Sequence, residues 1–206
     1  MRLPDTAHTS RPWRIHDIAP DFTLLDVWAI PTPAGPQDFP QLVRLWTAFD
    51  ATKSSSQVVR VLFAIRLKLG ELLGWDDTGG TSGTNVLPLR DRVPADLLDK
   101  PSGPTPTAPF VALYLTNNEW AAETVNRTVH AVLHLGWVPH ETGVYRGQLA
   151  VLVKPHGLLG RGYLAAIKPF RHLIVYPRML AEIERQWRAT LAAPVDPRPG
   201  HRQTHM

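Results

Sequence analysis

The sequence predicts an α+β domain in which a curved antiparallel sheet packs on a long C-terminal helix, with two further helices after the first strand. Three observations carry that class. The hydrophobic period switches between two, in short β-branched and aromatic runs, and three-and-four, in longer ones. Prolines crowd into 31–40, 101–109 and 194–199, and each cluster should interrupt regular structure. An apolar stripe about four turns long ends the ordered sequence, and it is the natural cover for a meander with one apolar face.

Each element follows from its residues. Phe22 to Ile30 (FTLLDVWAI) is short and rich in β-branched and aromatic side chains, so it reads as a strand. Phe39, Leu42, Val43, Leu45, Trp46 and Phe49 recur at three and four and predict a helix. Asp38 as its cap and Pro40 in its first turn fit equally well. After a polar break at 52–56, Val58 to Leu73 predicts a second helix closed by Gly74. Residues 76–109 carry little signal: DDTGGTSGTN is a loop, and LPLRDRVPADLL holds a short strand or turn. From Phe110 the pattern is a meander, FVALYLT, EWAAETV, TVHAVLHLGWV and YRGQLAVLVK, with turns at Asn117-Asn118, at Asn126-Arg127 and in PHETG. Gly157, Gly160 and Gly162 form a hinge. Leu173, Tyr176, Leu180, Ile183 and Trp187 then mark one helical face, with a kink expected at Pro177. The reading is a single domain over 13–192, with 1–12 and 193–206 as disordered tails.

Composition limits the function. With 206 residues, 44% of them apolar and 19% charged, the chain can bury a core. A net charge of +4 is too dilute to predict a nucleic-acid partner. The absence of Cys excludes disulfides, Cys-ligated zinc, iron–sulfur clusters and a thiol nucleophile. No apolar run approaches the ~20 residues of a membrane span, and the N-terminus lacks the apolar core of a signal peptide. A cytoplasmic protein without a membrane span is therefore expected. GLLGRG at 157–162 is not the dinucleotide fingerprint, and neither the P-loop nor the hydrolase elbow is present, so no cofactor is expected.

The candidates for chemistry are few. Asp26, taken with period two, shares an apolar face with Phe22, Leu24, Trp28 and Ile30. A carboxylate facing a cavity there is a candidate acid or base; exposure, or pairing with an Arg, is the bland alternative. Glu119 and Glu123 share a strand face about 13 Å apart, too far for a glycosidase pair, and read as a solvated rim. His130 and His134 lack the glutamate of a zinc-protease motif and, in a strand, stand too far apart to share an ion directly. The opposite face (Val129, Ala131, Leu133, Leu135, Trp137) is the better core, which puts the histidines outside. Turned inward, His130 would be a general base near neutral pH. Tyr145 faces the same way as Leu149, Val151 and Val153.

The element order resembles the helix-grip fold of START and polyketide-cyclase-like proteins, which implies room for a small ligand between sheet and helix. The segments DFTLLDVWAIPTP, NNEWAAETVNRTVHAVLHLGWV and YRGQLAVLVKPHGLLGRGYLAAIKPFRHLIVYPRML resemble a bacterial domain-of-unknown-function family (2867 type) also found fused behind short-chain-dehydrogenase-like modules. That resemblance implies one domain and brings no catalytic residue with it. Two functions are expected. The first is binding of a small, largely apolar molecule between sheet and C-terminal helix, any chemistry being acid/base work of the cyclase, dehydratase or isomerase type. Asp26, Glu123 and His130 would then be catalytic, Trp28, Tyr114, His134 and Tyr145 would touch the ligand, and no metal is called for. The alternative is a non-enzymatic accessory or interaction domain whose partner is a dehydrogenase-like protein.

Overall fold

The computed structural model describes residues 1–49, 87–126, 128–140 and 143–192. The helix expected at 58–73 and the tail expected at 193–206 lie outside them. The architecture is α+β, built on one curved five-stranded antiparallel sheet in the order β1-β5-β4-β3-β2. β1 is Thr23–Ala34, β2 Val111–Leu115, β3 Glu119–Val125, β4 Val129–Pro139 and β5 Tyr145–Pro155. The four later strands fall where the alternation put them. β1 runs further than expected, through Pro31 and Pro33, which an edge strand tolerates because it need not donate on its outer side.

Strands β4 and β5 pair without interruption from Val129↔Pro155 to Pro139↔Tyr145. The register shifts at three places elsewhere, one of them between Ile30 and Ala34 where β1 carries its two prolines. In β1 the register skips Leu25, between Leu24↔Leu152 and Asp26↔Val151; in β2 it skips Leu113. A single extra residue moves everything beyond it to the other face. The face expected for Asp26 is therefore split. Phe22 and Leu24 pack on one side of the sheet, whereas Asp26, Trp28 and Ile30 point to the other with Val151, Leu149 and Gly147.

Helices cover that second side. Helix α3, Phe39–Ala48 (after the single turns α1, Thr6–Thr9, and α2, Ile15–Ile18), buries Phe39, Leu42, Val43 and Trp46. Pro40 lies in its first turn, and the Asp38 carboxylate bonds the Gly35 N–H instead of capping the helix. Gly147 is the dock for α3, because a Cβ there would stand 2.6 Å from Leu42 Cδ2. The C-terminal helix follows in two arms, Gly157–Phe170 and Tyr176–Ala192, joined by a π-helical turn, Arg171–Val175. Pro177 has no N–H to give the Leu173 carbonyl one turn back, and the wider π turn accommodates its ring where a kink was expected. The extra residue in that turn also shifts the phase. Tyr176, Leu180, Ile183 and Trp187 are buried as the spacing predicts, but Leu173 is 77% exposed. Gly160 and Gly162 lie within the helix and do not form a hinge, while Gly157, with φ of +60°, opens the helix in a left-handed conformation. Gly160 is pressed onto the sheet, where a Cβ would meet the Thr128 carbonyl oxygen at 2.1 Å.

The opposite side of the sheet is covered as well, by irregular chain. Residues 1–12 are not a tail. Met1 and Leu3 extend the outer edge of β1, with Ala29 N–H donating to the Met1 carbonyl and Leu3 N–H to the Val27 carbonyl. Trp13, Ile15 and Ile18, together with Leu89, Val93 and Leu97 from a 3₁₀ turn (Leu89–Arg92) and a helical turn (Ala95–Leu98), complete a second core. Gly136 admits the Trp13 ring, whose Cζ2 lies 2.8 Å from where a Cβ would be.

Candidate functional site

Because both faces are covered, the predicted site residues separate into two groups with the sheet between them. Asp26, Trp28 and Tyr145 belong to the helix side; Tyr114, Glu123, His130 and His134 belong to the side under the N-terminal segment. The histidines are not on an outer face, and the glutamates are not a solvated rim. His130, His134, Glu119 and Glu123 are all buried. The reason is the second cover, which no local pattern announces.

On the N-terminal side the buried histidines and glutamates bond one another. His130 Nε2–H donates to Glu123 Oε2 at 2.6 Å, and the same oxygen accepts the Leu89 N–H at 3.0 Å. The 3₁₀ turn is thereby tied to β3. Glu119 is a larger hub. Its carboxylate accepts the Arg14 N–H at 3.0 and 3.1 Å, the Tyr114 hydroxyl at 3.1 Å and His134 Nε2–H at 3.0 Å. A carboxylate only accepts, so His134 carries its proton on Nε2 and presents Nδ1 as an acceptor. His8 Nε2–H meets that nitrogen at 3.2 Å, and His16 Nε2–H meets His8 Nδ1 at 3.2 Å. The three imidazoles therefore share one tautomer and form a file from the surface inward to Glu119. Burial, followed by the neighbouring His134 and His16, lowers His8 to about 2. Burial and Glu119 push the Tyr114 phenol upward, which keeps it a donor. Among the described residues no group of three or more His, Asp or Glu is arranged to hold a metal ion.

The helix side is built differently. Asp26 is fully buried on β1 and faces the π turn. His172 Nε2–H donates to its Oδ1 at 2.5 Å, and Arg171 Nη2 stands 2.8 Å from Oδ2. That second approach is an ion pair, and Arg171 Nε, buried beside it, has no hydrogen-bond partner among the described residues. Arg2 Nε lies 4.0 Å from Oδ1, on the N-terminal strip that extends the edge of β1. Trp28 and Tyr176 pack with a tilt of 38° at 5.0 Å between centroids, and His172 meets Trp28 edge-on at 6.0 Å. Burial raises the Tyr176 phenol, Arg171 opposes it, and Asp26 adds to the rise through its charge and a hydrogen bond. The His172 side chain is 17% exposed, so the cluster reaches the surface through its imidazole.

Pairing of Asp26 with an Arg was foreseen as the bland alternative, but the identity of that Arg and the presence of His172 were not. Both lie about 145 residues downstream, on a turn whose π geometry stems from Pro177, and the proline was the only signal for it. Tyr145 packs at the far end of this face, stacked on Trp137 at 6.4 Å, away from Asp26. A separate cleft of about 450 Å³ opens at the sheet's other edge, between Pro36, Pro40, Lys100, Pro101, Leu115 and Asn117, and holds none of the expected site residues.

Comparison with known proteins yields a family and no function. The family model described as "Protein of unknown function (DUF2867)" matches residues 18–178, and the chain belongs to that family. The match takes in both β1 and the π turn, and so both halves of the Asp26 cluster. No curated protein and no solved structure matches the chain.

Proposed function

We propose that this member of the DUF2867 family binds a small, largely apolar molecule bearing one polar group beside Asp26, between β1 and the π turn of the C-terminal helix. The observation that carries the reading is the buried Arg171 Nε, which has no hydrogen-bond partner among the described residues, beside the Asp26–Arg171 ion pair and the Trp28 and Tyr176 rings. A hydroxyl or carbonyl on the ligand would accept from that N–H, because leaving such a group without a partner costs more than the average hydrogen bond returns. Chemistry at this place would be acid/base work. Asp26 fixes the His172 tautomer through Nε2–H and leaves Nδ1 as the base, the orienting arrangement that general-base histidines share. Space under the second arm is taken up by Trp137, Leu180, Ile183 and Trp187, which confines the reading to the π-turn end.

A thermal-shift screen of small apolar alcohols, ketones and carboxylates tests it. A stabiliser present at a hundredfold its Kd adds about 2.7 kcal/mol, a shift of several degrees. Asp26→Asn and Arg171→Met should each lose that shift. A screen without stabilisers, or stabilisers that act equally on Asp26→Asn, would sink the reading.

A second reading, a non-enzymatic accessory domain beside a dehydrogenase-like protein, is supported by the opposite face. There Glu119 and Glu123 are each bonded by a histidine and a main-chain N–H, a purely structural economy. Copurification with such a protein, together with an Asp26→Asn variant altered in stability alone, would favour it.

A further inference from the structure

We propose that the first arm of the C-terminal helix is a docking surface for an anionic lipid bilayer, a role independent of any ligand at Asp26. Among the described residues the arm is fixed along one side only. Gly160 is buried against the Thr128 carbonyl, and Leu164 packs against the helix-side core. On the other side Leu158, Gly162, Ala165, Pro169 and Leu173 recur at four, three, four and four, and all are exposed. Leu158 is 83% exposed and Leu173 77%, with Leu159 at 61% and Phe170 at 52% widening the stripe. The large side chains cluster at the two ends of the stripe, Leu158 with Leu159 and Phe170 with Leu173, joined by the small Gly162, Ala165 and Pro169. Exposed apolar patches of this kind mark contact with a partner or a membrane.

The charges select the occupant. From Pro155 to Ala181 the chain contains no Asp or Glu. Arg161 and Lys168, seven residues apart and therefore on one flank of the stripe, are both exposed. An apolar helix face edged with cations and free of carboxylates matches the interfacial helices that lie in the headgroup layer, where the cations meet anionic lipid. A second copy of the chain fits less well. Two such stripes packed antiparallel about a two-fold axis bring both cationic flanks to the same side, with no carboxylate on either arm to meet them.

Co-sedimentation of the full chain with vesicles decides the matter. The protein should pellet with phosphatidylcholine vesicles containing about a third phosphatidylglycerol, and only weakly with phosphatidylcholine alone. Leu158→Ser combined with Leu173→Ser should cut the partition coefficient on the order of tenfold or more. Arg161→Glu combined with Lys168→Glu should remove the preference for anionic vesicles, each lost cation counting about fivefold. All four positions are exposed, and circular dichroism confirms that the variants fold. Protein left in the supernatant with anionic vesicles overturns the proposal, as does binding indifferent to the serine variant. So does sedimentation velocity showing a dimer that the serine variant dissociates while no lipid is bound, which would make the stripe a contact between copies.

Discussion

The helix side of the sheet buries the larger and far more aromatic core, seven aromatic rings against Trp13 and Tyr114 on the other side, and the two faces treat buried charge in opposite ways. Under the N-terminal segment, Glu119 and Glu123 sit in closed circuits where histidines, a tyrosine and main-chain N–H groups meet the carboxylate oxygens. Under the C-terminal helix the Asp26 carboxylate is met by the His172 imidazole and by Arg171 at ion-pair distance, and the buried Arg171 Nε has no hydrogen-bond partner among the described residues. The covers differ in the same sense. An irregular segment has no hydrogen-bond ladder of its own, so its main chain must find partners in the layer below, and the glutamates supply them. A helix satisfies its own backbone and asks nothing of Asp26. On the first face the carboxylates hold main-chain groups of the cover, whereas on the second Asp26 is held by side chains of the helix.

The sharpest way to break this contrast is Glu119→Ala. It leaves His134, Tyr114 and the Arg14 N–H without their acceptor at once, and breaking a buried pair from one side costs about 3–5 kcal/mol. Chemical denaturation should show that loss, together with early proteolysis at residues 1–20 if the segment is released. The helix side answers to shape more than to charge. Gly160→Ala drives a methyl into the Thr128 carbonyl and should cost about 1–3 kcal/mol while leaving the His–Glu circuits intact. Equal exposure of the N-terminal segment in both variants would deny the independence of the two covers.

Acidification separates the faces further. His8 is held neutral in the fold at about 2 but protonates near 6.5 when unfolded. The unfolded chain therefore binds more protons below that value. The stability His8 supports is complete above about pH 6.5 and is lost as pH falls from there toward 2. Between pH 7.5 and 5.5 that amounts to about 1.4 kcal/mol, and His8→Gln should flatten the slope. The smallest effect is expected at the rim. Asp21, 38% exposed, pairs with Arg92 at 2.6 Å and Lys154 at 2.7 Å, contacts that hold its carboxyl below the usual range. Asp21→Asn should cost under about 1 kcal/mol, and less in high salt.

Local pattern made the meander and the α3 stripe legible, because each side chain there answers to neighbours two, three or four residues away. The same pattern misplaced His130 and His134, since period two says which residues share a face and cannot say whether that face is covered. Their cover, residues 1–20 and 87–99, has no periodicity of its own and holds on through scattered anchors such as Trp13 and Leu89. Asp26 was legible as an unusual residue on an apolar strand. Its partners were not, because a contact spanning 146 residues leaves no trace in a window of a dozen. Leu173 was misjudged by a spacing argument that assumed an unbroken α-helical phase.

The skip at Leu25 reaches beyond this one chain. That residue acts as a shunt: with it, the carboxylate is delivered to the helical compartment, and without it the same aspartate would surface among the histidines. When relatives are compared, a gap one position long in this strand would carry an acid through the wall of the sheet, so equivalence here has to be judged from pairing partners such as Val151 and never from the column alone.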